Sequence, residues 1–151
     1  MATHPSDSSV QQAAEKEILA FASEKLGVQL EARFVDVEPQ IRLQVDGFNE
    51  NAKVLCEACA HIGKLKPAQE RKIEGDILKM LFIEKRLPGL WKKYLLFADA
   101  AAAAKYLGAH SWLAKCCREF SIEIMVATMC DDTRAKVLAA QKRQHMGNTQ
   151  A

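Results

Sequence analysis

The sequence predicts an α/β domain, a mixed central sheet flanked by helices, and three observations predict it. The spacing of apolar residues changes from a three-four rhythm to alternation near Val28, and returns to the helical rhythm after Pro67. Two later runs, residues 93–98 (KYLLFA) and 122–129 (IEIMVATM), are apolar without alternation, as strands covered on both faces are. Helical stretches precede and separate those runs, so the second half reads as strand-helix crossovers and the first as an antiparallel meander. With 151 residues, 49% of them hydrophobic and 26% charged, the chain can bury one substantial core.

Residues 1–9 are polar and read as a disordered tail with Ser8 or Ser9 as a helix cap, leaving residues 10–145 as a single domain. Val10 to Leu26 is the first helix. Ala14, Ile18, Phe21 and Ala22 carry its apolar side, Glu15, Glu17 and Glu24 stay polar, and Gly27 supplies the stop. Two strands follow, the first from Val28 and the second after Pro39. In the second, Ile41, Leu43 and Val45 oppose Arg42, Gln44 and Asp46, and Asp46-Gly47 is a turn signal. Asn51 to Ala60 is apolar on both alternating faces except at Glu57, and a carboxylate in such a strand must be paired, neutralised or bound to a metal. Pro67 opens a helix that buries Ile73, Ile77, Met80 and Leu81 and stops before Pro88-Gly89. Asp99 caps an alanine-rich helix to Leu107, a further helix covers residues 111–120, and Asp131 or Asp132 caps a closing helix through about Gln144. The runs at 93–98 and 122–128 are expected to be interior strands, parallel to one another.

A formal net charge of +2 does not by itself imply a polyanionic partner, but Lys64, Lys66, Arg71, Lys72 and Lys79 concentrate positive charge in the centre of the chain. No apolar stretch is long enough to span a bilayer and the first residues lack the order of a signal peptide, so a cytoplasmic protein without a membrane partner is expected. Five cysteines, several inside apolar runs, suit reduced thiols. Cys56 and Cys59 match C-x-x-C in spacing, yet residues three apart in a strand face opposite ways and cannot share a metal. Trp91 and Trp112 read as packing residues.

The chemistry concentrates between Gln40 and Lys79. Asp46 and Glu57 fall on neighbouring strands, and the helix after them carries Gln69, Lys72, Asp76 and Lys79 at spacings of three, four and three, which is one stripe of its surface. Two carboxylates can hold a hard divalent cation, and a nearby ammonium orients water and offsets charge building on a phosphate, which is what phosphodiester hydrolysis asks for. Blander readings stand beside this one: Asp46 as a hairpin residue, Glu57 in a structural salt bridge to Lys72 or Lys79, the stripe as a solvated helix face, and His61 as a hydrogen-bonded residue at a strand end.

The order of elements, with Val45-Asp46-Gly47 and then Leu55-Cys56-Glu57-Ala58-Cys59, resembles the PD-(D/E)xK, or restriction-endonuclease-like, superfamily. More narrowly, residues 57–79 (EACAHIGKLKPAQERKIEGDILK) are similar to a group of small bacterial proteins with a like run. The resemblance spans roughly residues 10–128 and implies an αβββαβ core and a nuclease that hydrolyses DNA with Mg2+ or Mn2+. It implies Asp46 and Glu57 as metal ligands, completed by a first-helix glutamate, Glu24, Glu17 or Glu15. The lysine expected two positions after Glu57 is absent, because Cys59 stands there. Within the superfamily that lysine also occurs on the following helix, so Lys72 is the expected replacement and Lys64 the second choice, with Gln69 similar to the helix glutamine of several branches. Lys64, Lys66 and Lys79 would then contact nucleic acid. A relative that kept the fold and the basic face without turnover, as a nucleic-acid-binding or accessory protein, is the alternative, and a homodimer is compatible with either.

Overall fold

The structure, a computed structural model, describes residues 5–149 of the chain, and the side chains of residues 7–147. In order the elements are α1 (Pro5–Leu26), β1 (Glu31–Glu38), β2 (Ile41–Asn49), β3 (Val54–Cys59), α2 (Pro67–Arg86), β4 (Lys92–Phe97), α3 (Ala100–Leu107), α4 (Trp112–Glu119), β5 (Ile122–Val126) and α5 (Asp131–Thr149). The strands form one five-stranded sheet in the order β1-β2-β3-β4-β5. β1, β2 and β3 pair antiparallel, and β3, β4 and β5 pair parallel. This is the meander-then-crossover arrangement that the change of apolar spacing requires. β5 is an edge strand rather than an interior one, with Val126 partly exposed. Its apolar character comes from packing against α3 and α4 on one face, not from a strand on each side.

Helices cover both faces of the sheet. Ile73, Ile77, Met80 and Ile83 of α2, with residues of α3 and α4, meet Val45, Leu55, Leu95 and Phe97 on one face. Ala14, Ile18 and Ala22 of α1, with Val137 of α5, meet Cys56, Ala58, Tyr94 and Leu96 on the other. Cys56 and Cys59 accordingly pack on opposite faces. Trp91 stacks on Phe48 with ring centroids 5.2 Å apart. Trp112 is different from expectation: it is 68% exposed at the first position of α4, where Leu113 and Ala114 turn inward instead.

The amino-terminal boundary also differs. α1 starts at Pro5, so residues 5–9, expected within a disordered tail, are helical, and residues 1–4 lie outside the described residues. Pro5 suits the first helical position, and Asp7 is buried against α5, where Arg143 Nε donates to its Oδ1 at 3.1 Å. A polar sequence reads as a tail unless the distant arginine that pairs its acid is known.

β2 does not turn at Asp46-Gly47. It continues to Asn49, and between the pairs Glu31↔Phe48 and Arg33↔Val45 two steps along β1 oppose three along β2. The extra residue is a β-bulge, and it puts Val45 and Phe48 on the same face of the sheet while Gly47 faces α1. Gly47 is required for close approach: a Cβ there would lie 2.6 Å from Leu19 Cδ2 and 3.1 Å from Cys56 Cβ. Gly47→Ala is expected to destabilise the protein by about 1–3 kcal/mol, read from urea unfolding. An unchanged midpoint would show that α1 yields without strain. No helix among the described residues is long and apolar enough to cross a membrane.

Candidate functional site

The bulge sets the geometry of the acidic pair. The β2–β3 ladder runs Asn49↔Val54, Phe48↔Leu55, Gly47↔Cys56 and stops there. Beyond it the two strands diverge, and side chains take over the backbone groups that the ladder no longer pairs. Asp46 Oδ2 accepts the Ala58 N–H at 2.9 Å, and Lys79 Nζ donates to the Gln44 carbonyl at 2.8 Å. Asp46 and Glu57 therefore sit together where the strands part, close enough for Asp46 to act on the Glu57 carboxyl.

Glu57 is 2% exposed. Burial pushes its carboxyl up to about 9, and the hydrogen bond and charge of Asp46 push the same way, against the Lys79 ammonium. Lys79 Nζ lies 2.7 Å from Glu57 Oε1, an ion-pair distance without the alignment of a hydrogen bond. The upward direction follows because removal from water and a second carboxylate together outweigh one cation. Glu57 in this arrangement holds a proton at neutral pH.

The Gln69/Lys72/Asp76/Lys79 stripe does line one edge of the site, but the roles along it differ from expectation. Lys79, not Lys72, reaches Glu57. Asp76, 8% exposed, stands between the two lysines, 3.3 Å from Lys72 Nζ and 3.6 Å from Lys79 Nζ. The reason is distance along α2. Lys79 lies seven residues, about 10.5 Å, farther along the helix than Lys72, and at that point the ammonium meets Glu57. Lys72 stays at the outer edge. Burial lowers its ammonium pKa, but Asp76, Asp46 and Glu57 outweigh that and the net direction is up. Lys79, expected at the nucleic-acid face, is paired with Glu57 and the Gln44 carbonyl.

Gln69 is occupied at both ends. Its Oε1 accepts the Lys66 N–H at 2.8 Å, capping α2, and its Nε2 donates to His61 Nδ1 at 2.9 Å. His61 Nε2 then carries the ring proton to the Lys64 carbonyl at 3.2 Å. Burial lowers the His61 pKa. Gln69 thus holds the strand end rather than facing the acidic pair. Lys64 and Lys66 are exposed at the start of α2, unburdened by the core.

Of the three first-helix glutamates, Glu15 is the one near the pair. Its carboxyl is pushed up chiefly by burial, with Asp46 and Asp76 adding and Gln11 and Lys72 opposing. Glu17 accepts the Cys130 N–H at 3.0 Å, at the start of α5. Glu24 is exposed and does not join the site: nine residues are two and a half helical turns, which place it on the opposite side of α1 from Glu15. Among the described residues no three of His, Cys, Asp and Glu stand close enough to hold an ion together.

Next to the acidic pair a cavity of about 230 Å³ opens between α1, α5, the end of β3 and the first turns of α2. Ala58, Cys59 and Ala60 contribute from β3 and its end, Val10, Ile73, Val137 and Ala140 are its apolar walls, and Glu15, Gln69, Lys72 and Gln144 are polar members of its lining. One of its edges is fixed by Gln141, which accepts the Ile62 N–H at 2.9 Å and donates to the Ile62 carbonyl at 3.0 Å. No sequence signal points to this clamp, because 79 residues separate the partners. Asp99 acts similarly after β4: it stands at the cap position of α3, but its carboxylate accepts the Gly63 N–H at 2.8 Å and pairs with Arg134 at 3.0 Å. Comparison of the chain with protein-family models, with curated proteins and with solved structures returns no match.

Proposed function

We propose that the protein is a divalent-cation-dependent nuclease of the restriction-endonuclease-like kind, hydrolysing DNA phosphodiester bonds, with Asp46 and Glu57 as its acidic pair and Lys79 as its ammonium. The observation that carries this reading is the pairing of two carboxyl groups from adjacent strands where the ladder ends, with a lysine of the following helix 2.7 Å from one of them, Glu57. Mg2+ commonly binds through one or two carboxylates and completes its shell with water and phosphate oxygens, so an Asp46/Glu57 pair without a third protein ligand fits it. Bound there, Mg2+ or Mn2+ would supply an acidified water and offset charge on the phosphate.

The chain's own residues do the rest. The Ala58 N–H fixes Asp46. Glu57 has to release its proton to become a ligand, so cation affinity rises with pH. Lys79 remains as the fixed countercharge and, with Lys72 at the rim, favours the developing negative charge. Lys64 and Lys66 offer exposed cations for the backbone of the nucleic acid.

One observation favours the alternative of a non-cutting nucleic-acid-binding relative: Glu57 is buried and an ammonium already stands beside it. Hydrolysis of single-stranded, duplex and branched DNA in Mg2+ or Mn2+, together with calorimetric titration of the cation, separates the two. Cleavage and cation binding are both expected in the unaltered protein and both are expected to fall at least 100-fold in Asp46→Asn. DNA binding without either would establish the alternative.

A further inference from the structure

We infer that the cavity between α1, α5 and the end of β3 receives one unpaired base of a single-stranded nucleic acid, seating the adjoining backbone phosphate at Lys72 and the acidic pair. The inference deepens the nuclease reading and rests on it for the role of the phosphate. Three features of the cavity carry it.

The first is shape and size. A cavity of about 150 Å³ is enough for benzene, and this one measures about 230 Å³, enough for a single heteroaromatic ring system but not for a base pair. Its small residues, Ala58 and Ala60, leave that room, while Val137 and Ala140 of α5 face it as apolar surface. The second is charge. Among the described residues Lys72 is the only Lys or Arg in the lining, which also holds Glu15 and the Arg143-paired Asp7, so a phosphate gains little inside and a neutral ring with polar edges suits it. Gln69 and Gln141 are held at both ends and Gln11 Nε2 is bonded to Glu15, which leaves the amide of Gln144 to supply a donor and an acceptor suited to the edge of a base.

The third is position. Ala58, in the cavity lining, donates its N–H to Asp46, and Lys72, also in the lining, pairs with Asp76 beside Lys79. A ring in the cavity is therefore linked to Asp46 through Ala58 and to Asp76 through Lys72. A base can enter only when it is out of the helical stack, and extruding it from a duplex costs a few kcal/mol that a single strand does not incur. The substrate class is accordingly a single strand or an unpaired end.

The test is a binding experiment on the full chain in EDTA, so that it does not depend on hydrolysis. Fluorescence anisotropy is measured with single-stranded DNA, single-stranded RNA and hairpin duplex DNA, for the unaltered protein and for Ala140→Leu, which fills the cavity. Single-strand binding is expected to weaken at least 10-fold in the folded variant while duplex binding is unchanged, and the DNA and RNA arms identify which strand the site prefers. In parallel, thymidine and adenosine 5′-monophosphates are titrated into the unaltered protein, where methyl NMR shifts are expected at Ala58, Ala60, Val137 and Ala140. Equal single-strand affinity in folded Ala140→Leu, or mononucleotide shifts absent or confined to other residues, overturns the inference. If Ala140→Leu does not fold, the mononucleotide titration alone decides. Binding in the cavity without hydrolysis in Mg2+ would remove the nuclease reading and leave the base site standing, and hydrolysis without cavity binding would do the reverse.

Discussion

Lys79→Met is expected to destabilise the protein by about 2–4 kcal/mol, and Lys72→Ala by less than about 1 kcal/mol. Methionine replaces the buried stem of Lys79 without its charge. Glu57 Oε1 and Asp76 Oδ1, both on buried residues, then lose the cation that stands 2.7 Å and 3.6 Å from them. Loss of the charge beside each of these buried groups costs about 1–3 kcal/mol. The Lys72 side chain is 57% exposed, so its pair with Asp76 is screened by water. Urea unfolding of the two variants side by side measures the difference. Equal losses would mean that the two lysines share the role, and that α2 lies less firmly over Glu57 than the ion pair indicates.

Glu57→Gln is expected to gain stability relative to the unaltered protein as pH rises. In the fold the carboxyl is pushed up to about 9 from an ordinary 4.5, so between those limits the native state keeps a proton that the unfolded chain has released. A raised pKa gives stability that is complete below about 4.5 and is lost as pH climbs to about 9, so stability falls with pH through that window. Glutamine carries a permanent N–H donor toward Asp46 and has no proton to lose. The variant should match the unaltered protein near pH 5 and exceed it by about 2–4 kcal/mol near pH 9. Two parallel curves of stability against pH would show that Glu57 is ionised throughout, held by Lys79. The gain should come with loss of any cation-dependent hydrolysis, because the amide cannot become a ligand of the same charge.

Much of this was legible in the chain. A switch in apolar period located every strand, because one-sided and two-sided burial leave different patterns, and it separated the antiparallel half from the parallel half. An acid in a two-sided apolar strand announced Glu57, and spacing alone put Gln69, Lys72, Asp76 and Lys79 on one edge of α2. What failed were distances. Lys72 is nearer to Glu57 in sequence, but a helix advances only about 1.5 Å per residue, so the closer residue in the chain is the farther one in space. Asp46-Gly47 has the composition of a turn, and only the pairing register shows that the glycine instead admits Leu19 of α1. The cavity could not be read at all: its walls come from α1, α2, β3 and α5, and Gln141 meets Ile62 with no local signature.

The clasp between Asp7 and Arg143 has a consequence for how the chain is made. Its partners are 136 residues apart, so α1, translated before α5, lacks the arginine that holds its buried acid until α5 has left the ribosome. At common rates of synthesis that interval is on the order of ten seconds. During it Ala14, Ile18 and Ala22 are covered only as β3 and β4 arrive, and the α5 side of the same core stays open to the end. A nascent chain of this protein therefore completes this side of its core only after α5 has emerged, and until then the inner face of α1 is partly open.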